Sequence, residues 1–313
     1  METPEDLFAS LPSGPRLCYQ VFGNPSDPAI LIIAGHATVM TQKTDGLVRL
    51  LLGPPESPRF VIRYDHRDTG LSTSFAKASG DAPVYTLSAL ADDAVGLIRH
   101  LGLDGVHLVG TSLGGPIAWQ VAARLPDLTR SLALVLTSPT GRQQLPSDGL
   151  PPLHLEGQWL LGEAFSVPED PDDDEAWIKS YMSMDLALAT QPPTEAERAE
   201  SRRESEVTYR RERQSGTIWT KQNHSDASGP RWPRELLREI TCPTAVVHAG
   251  KDQIFPMGHA EALRDDVPGA TLVVLEDCGH EIPHRVRRRL ADAILANVEK
   301  GERLRTAGND ITL

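Results

Sequence analysis

The chain has 313 residues, 40% of them hydrophobic, and 31 Lys+Arg against 43 Asp+Glu, for a net charge of −12. This composition excludes disorder for the bulk of the chain and supplies a core for two domains, or for one large domain with an insertion. The acidic balance argues against nucleic acid or an anionic membrane as partner, since both select positive charge. No run approaches the roughly 20 apolar residues of a membrane span. The acidic opening Met1–Asp6 leads into no apolar stretch, so no secretory signal is expected. Cys18, Cys242 and Cys278 are too few and too scattered for a disulfide framework or a C-x-x-C site. A reducing, cytoplasmic compartment is the expectation.

Short apolar, β-rich runs predict strands at Leu17–Phe22, Ala29–Ala34, Phe60–Tyr64, Val106–Val109, Leu132–Leu136, Thr244–His248 and Thr271–Leu275. Several are nearly continuously aliphatic, as strands covered on both faces of a parallel sheet are. Between them, Leu87, Leu90, Ala94, Leu97, Ile98 and Leu101 mark one buried helical face, and Leu113–Leu125 is a second helix stopped by Pro126. The alternation predicts an α/β protein with a doubly wound, mostly parallel sheet. It breaks between Gly141 and Leu236. There, Pro146, Pro151 and Pro152 precede an acidic run, Glu169–Glu175, that reads as a solvated loop. Thr194 with Glu197 three residues on has the capping-box spacing and predicts a long polar helix. The expected division is a core of residues 1–139 and 236–313 with a mostly helical cap inserted at 140–235. The polar tail from Gly301 is expected to be loose.

Gly110-Thr111-Ser112-Leu113-Gly114 follows a predicted strand and opens a predicted helix. In that context G-x-S-x-G is a nucleophile turn: the serine takes a strained conformation, and its neighbours must be small. Ser112 then sits at a helix N-terminus, where developing negative charge is favoured and the Leu113 N–H serves as an oxyanion donor. A phosphate-binding P-loop is excluded because Gly115 is followed by Pro116-Ile117, and the dinucleotide fingerprint G-x-G-x-x-G is absent after the first strand. A serine nucleophile needs a base and the base an orienting acid, in the chain order Ser, Asp or Glu, His for this turn. Asp252 and His280 lie just past the ends of two successive strands, on the edge that carries Ser112, and the competing position after Leu132–Leu136 holds no carboxylate. Asp277 is the next acid in line.

These residues resemble the α/β-hydrolase superfamily over about 1–139 and 236–313. The segment Arg63-Tyr64-Asp65-His66-Arg67-Asp68-Thr69-Gly70-Leu71-Ser72 is similar to the branch containing aclacinomycin methylesterase, which acts on esters of polyketide antibiotics. In this segment Gly70 is expected to make the turn, and Asp65 and Arg67 to tie it by a salt bridge. The resemblance implies a second oxyanion donor after the third strand. The family's His-Gly is replaced here by Ala34-Gly35-His36, which puts His36 at the donor position. Its imidazole either packs away or meets the substrate. Relatives with an aspartate nucleophile are excluded by the serine at 112.

His280-Glu281-Ile282-Pro283-His284 matches the zinc string H-E-x-x-H, but Gly279 and Pro283 deny it the helix on which two histidines face one metal. No metal and no cofactor are expected. The histidines His100, His107, His154, His224, His248 and His259 are assigned to surface or packing, and the basic cluster Arg285–Arg289 to a solvated helix face. The function so implied is a cofactor-independent serine hydrolase cleaving an ester or lactone of an apolar, polyketide-like small molecule, with Ser112, Asp252 and His280 catalytic. The alternative is a non-hydrolytic protein of the same fold that binds a ligand or acts as a cyclase or lyase. His36, Trp159, Trp177 and Trp219 are the candidate pocket residues, with cap core as the competing place for the tryptophans, Trp232 included. A monomer and a homodimer both fit.

Overall fold

The computed structural model describes residues 4–76, 83–141, 144–155, 157, 159, 162, 167–227 and 232–309. Among these, eight strands form one sheet in the order β1-β2-β4-β3-β5-β6-β7-β8. They are β1 (Leu7–Ser10), β2 (Arg16–Phe22), β3 (Ala29–Ile33), β4 (Phe60–Tyr64), β5 (Val106–Thr111), β6 (Thr129–Val135), β7 (Thr244–Ala249) and β8 (Thr271–Leu275). β1, β2 and β4 pair antiparallel, and every other pairing is parallel. The edge strand β1 escapes the sequence reading, because four residues are too few to show alternation.

Side chains on the central strands alternate between two cores. On β3, Ala29, Leu31 and Ile33 join one core with helices α2 (Leu87–His100) and α3 (Gly114–Arg124). Ile30 and Ile32 face the other, filled by α1 (Asp45–Leu51) and by a long helix at the C-terminus. Both faces being covered explains why these strands read as unbroken aliphatic runs. The C-terminal helix spans His284–Asn309, so residues 301–309 are helical rather than loose. Gly301 lies so close to β6 that a Cβ there would stand 2.3 Å from the Arg130 carbonyl oxygen.

β3 lies between β4 and β5. The chain runs outward from β3 to β4 and then crosses to β5 on the other side. This switch leaves a crevice at the carboxyl ends of β3 and β5, where open α/β sheets place their sites. Between β6 and β7 the described residues contain helices and no strand. α4 (Asp174–Leu186) and α5 (Glu195–Ser215) pair around Trp177, Tyr181, Tyr209 and Ile218. Both bonds of the Thr194–Glu197 capping box are present, and Gly216 ends α5 with φ +80°. A one-turn helix, α6 (Asn223–Asp226), follows; α7 (Met257–Asp266) lies between β7 and β8, and the C-terminal helix is α8. No described helix is long and apolar enough to cross a membrane.

Candidate active site

β5 hands over to α3 within two residues, and Ser112 takes the turn with φ +53°, a left-handed conformation that side chains disfavour. The strain is held from both sides. The Ser112 N–H donates to the Val135 carbonyl, and its own carbonyl accepts from the Thr137 hydroxyl at 2.7 Å. A Cβ on Gly114 would stand 2.1 Å from the Ile33 carbonyl oxygen, so only glycine lets α3 begin against the end of β3. Leu113 is the residue from which α3 starts, which puts its N–H among the first free donors of the helix.

His280 and Asp252 arrive from the loops after β8 and β7. The imidazole stands 3.0 Å from the Ser112 hydroxyl through Nε2 and 2.9 Å from Asp252 Oδ2 through Nδ1. With Nδ1–H donating to the carboxylate, the Nε2 lone pair faces the serine proton. Asp252 Oδ1 accepts the Ile254 and Phe255 N–H groups at 2.8 and 2.9 Å, which fixes the carboxylate in an Asx turn. Burial pushes the Asp252 pKa up, but His280, His248 and the N–H donor outweigh it, so the net shift is downward and the group stays ionised. Asp277, by contrast, is exposed and 3.7 Å from Lys251, away from the imidazole.

Gln253 is a site residue the sequence reading missed. Its Oε1 accepts the His280 N–H at 3.0 Å, and its Nε2 donates to the Leu188 carbonyl, joining the histidine loop to the segment between β6 and β7. Phe255 packs against the His280 ring at 5.6 Å between centroids. Gln253 follows Asp252 directly and Phe255 lies three residues on, and that nearness was the available signal.

The loop after β3 closes the other side. A Cβ on Gly35 would meet the Ser112 Cβ at 3.4 Å, so this loop lies directly on the nucleophile. The His36 ring turns toward the β6–β7 segment, with Nε2 2.8 Å from the Ser225 hydroxyl. The H-E-x-x-H histidines diverge: His280 faces Ser112, while His284 sits 2.6 Å from Glu200.

The family model for the alpha/beta hydrolase fold matches residues 28–284. The chain belongs to this family. It is 31% identical over 290 residues to the rhodomycin D methylesterase DauP of Streptomyces sp. (strain C5), covering 88% of this chain and 92% of that protein. The rhodomycin D methylesterase DnrP of Streptomyces peucetius is 30% identical at the same coverage of both chains. The resemblance to the branch containing aclacinomycin methylesterase therefore holds. Among solved structures, the esterase EaEST from Exiguobacterium antarcticum shares the fold with a TM-score of 0.69 at 21% identity, over 94% of this chain and 100% of that one.

The α/β-hydrolase segment after β4 corrects one expectation. Asp65 and Arg67 do not pair. Asp65 accepts the Met40 and Leu71 N–H groups and pairs with Arg211 of α5 at 2.8 Å, while Arg67 forks onto the buried Asp93 of α2 at 2.6 and 2.7 Å. A Cβ on Gly70 would fall 2.0 Å from Asp65 Oδ2, so the glycine makes room for the carboxylate inside the turn. Two residues apart, the side chains leave the loop on opposite sides and find partners far along the chain.

The tryptophans also separate. Trp177 is buried in the small core between α4 and α5, where it donates to the Pro171 carbonyl and stacks on Tyr181. Trp219 is 53% exposed and edge-on to Trp177, and Trp159 is 63% exposed. Trp232 packs edge-on against Trp119 of the sheet core. Trp177 thus lies in a buried cluster, and Trp232 packs, partly buried, against the sheet core.

Proposed function

We propose that this α/β hydrolase cleaves a carboxylic ester through an acyl-enzyme on Ser112, and that the segment between β6 and β7 is a cap over the site. The observation that carries the reading is the continuous hydrogen-bond chain from Ser112 through His280 to Asp252. His280 Nε2 takes the Ser112 proton as Oγ bonds to the ester carbonyl carbon. The Leu113 and His36 N–H groups receive the resulting oxyanion. Collapse expels the alcohol, which takes the proton from His280. Water, deprotonated in turn by His280, attacks the acyl-enzyme and releases the acid, restoring Ser112. No step requires a cofactor. The ionised Asp252 keeps the imidazole in the Nδ1–H tautomer and stabilises the imidazolium.

The DauP and DnrP relatives point to the methyl ester of a polycyclic, polyketide-like acid as the substrate class. A second reading is favoured by the 2-hydroxymuconate semialdehyde hydrolase of Pseudomonas sp. (strain CF600), 27% identical over 76% of this chain and 77% of that protein. Assaying rhodomycin D and 2-hydroxymuconate semialdehyde side by side separates the two. The test of the chemistry is a fluorophosphonate: intact mass is expected to show one adduct, mapped to Ser112 and lost with ester turnover in Ser112→Ala. Labelling elsewhere, or turnover that survives in Ser112→Ala, overturns the reading.

A further inference from the structure

In the loop that carries the His36 N–H, the peptides before and after it are held by side chains. Thr38 Oγ1 donates to the His36 carbonyl, and His66 Nε2 donates to the Ala34 carbonyl at 3.1 Å. Ala37 has φ +49°, and its N–H donates to Nδ1 of His224 at 3.0 Å. His224 lies 187 residues away on α6, in the proposed cap. The accepted N–H fixes its tautomer: Nδ1 is the bare nitrogen, so Nε2 carries the proton and donates to the Arg67 carbonyl at 2.8 Å.

The ring itself is held. Asn223, its neighbour, donates to Asp68 Oδ2 and to the Phe75 carbonyl, and the His224 ring meets those of His36, His66 and Tyr85 edge-on. Burial lowers the pKa of both His224 and His66, the latter to about 3, so both are neutral at neutral pH. A neutral His224 keeps the lone pair that the Ala37 N–H needs.

We propose that His224 is a positioning residue for the oxyanion hole: from the cap it accepts the Ala37 N–H and so holds the Ala34–Ala37 loop where the His36 N–H meets the developing charge. The proposal rests on the hydrolase reading above. It makes the hole complete only when the cap is docked, so a change in the cap alters turnover as well as substrate choice. Nothing in the polar string Asn223-His224-Ser225-Asp226 signals this, because the contact is made only in the fold.

The test compares two replacements in the full-length protein. His224→Asn keeps an acceptor near the Nδ1 position, whereas His224→Gln keeps a polar group near Nε2 and loses that acceptor. On p-nitrophenyl acetate, His224→Gln is expected to lower kcat by about 10–100-fold, with KM within about twofold, since a misplaced donor costs part of the roughly 10²–10³ of a lost one. His224→Asn is expected to recover to within about threefold of wild type. A phenylalkyl trifluoromethyl ketone adds to Ser112 and places a tetrahedral oxyanion in the hole, so its Ki is expected to rise by the factor by which kcat/KM falls. Equal losses in both variants, no loss in Gln, or a loss confined to KM overturns the proposal. If neither variant folds, ¹⁵N NMR of the wild-type histidines decides: a His224 protonated on Nδ1 overturns it, and one protonated on Nε2 supports it. A wild type that neither hydrolyses esters nor takes a fluorophosphonate removes the hydrolase reading, and this proposal with it. An active wild type with an unchanged Gln variant removes this proposal alone.

Discussion

The sheet edge and the segment between β6 and β7 hold their parts of the site by different means. At the edge, Ser112 is set by backbone: a left-handed turn, a glycine under a carbonyl, and hydrogen bonds to Val135 and Thr137. The β6–β7 segment is joined to the rest of the chain in part by charged and polar side chains. Arg211 of α5 reaches Asp6 and Asp65, Glu204 accepts the Lys43 N–H, and Glu200 pairs with Arg287 at 3.0 Å. Backbone geometry tolerates little and does not titrate. Ion pairs can be tuned by one substitution or by pH. The nucleophile is therefore set by geometry that does not titrate, while part of what holds the β6–β7 segment does.

The largest expected effects are at the edge. Ser112→Ala, His280→Ala and Asp252→Asn are each expected to lower kcat by about 10⁴–10⁶ with little change in melting temperature. An Asp252→Asn enzyme keeping more than about a tenth of wild-type turnover would place the acid elsewhere and break the account of this edge.

That edge is also the part most legible in the sequence. Ser112, Asp252 and His280 could be placed together because each follows a strand with a readable aliphatic pattern, and the turn chemistry around each is local. Gln253 was adjacent to a residue already singled out, yet its role depends on reaching Leu188, which no local pattern encodes. Arg211 and Asp65 lie 146 residues apart, and the more obvious partner for Asp65, Arg67, is two residues away. Sequence proximity suggested the wrong pair. Trp177 was left between two places for a related reason: composition marks a tryptophan as apolar but does not say whether it lines a pocket or fills a core, and its burial beside Tyr181 and Tyr209 favours the core.

The next effect sharpens the contrast in the segment itself. Arg211→Met leaves the buried Asp65 carboxylate without its cation, a loss on the order of 3–5 kcal/mol. Its melting temperature is expected to fall by roughly 5–10 °C. The double variant Asp65→Asn/Arg211→Met should regain part of that, because the carboxylate that Arg211 neutralised is gone as well. A single variant as stable as wild type would show that apolar contacts rather than ion pairs hold the segment.

Trp177→Ala and Trp159→Ala separate core from surface. The first empties the α4–α5 core and is expected to cost about 3 kcal/mol, lowering turnover of small and bulky esters alike. The second is expected to leave stability unchanged within about 0.5 kcal/mol. A Trp177→Ala enzyme that kept its stability and lost only bulky-ester turnover would return Trp177 to the pocket wall.

The smallest effect is a slope. Burial, with Asp185 and Glu200 nearby, pushes the Glu204 pKa up to about 8. As pH rises from about 4.3, the unfolded chain gives up this proton before the folded one does, so folding loses stability until pH passes about 8. Glu204→Gln is expected to flatten the fall in melting temperature across that window. An unchanged slope would assign it to other groups.

The central claim is that the acyl group passes through Ser112, and product partitioning tests it directly. Esters of one acid with different alcohols are hydrolysed in the presence of methanol, and the ratio of methyl ester to free acid is measured. A common acyl-enzyme predicts one ratio for every leaving group, with both products lost in Ser112→Ala. A ratio that changes with the leaving alcohol would mean that water attacks the substrate itself, and would contradict the account.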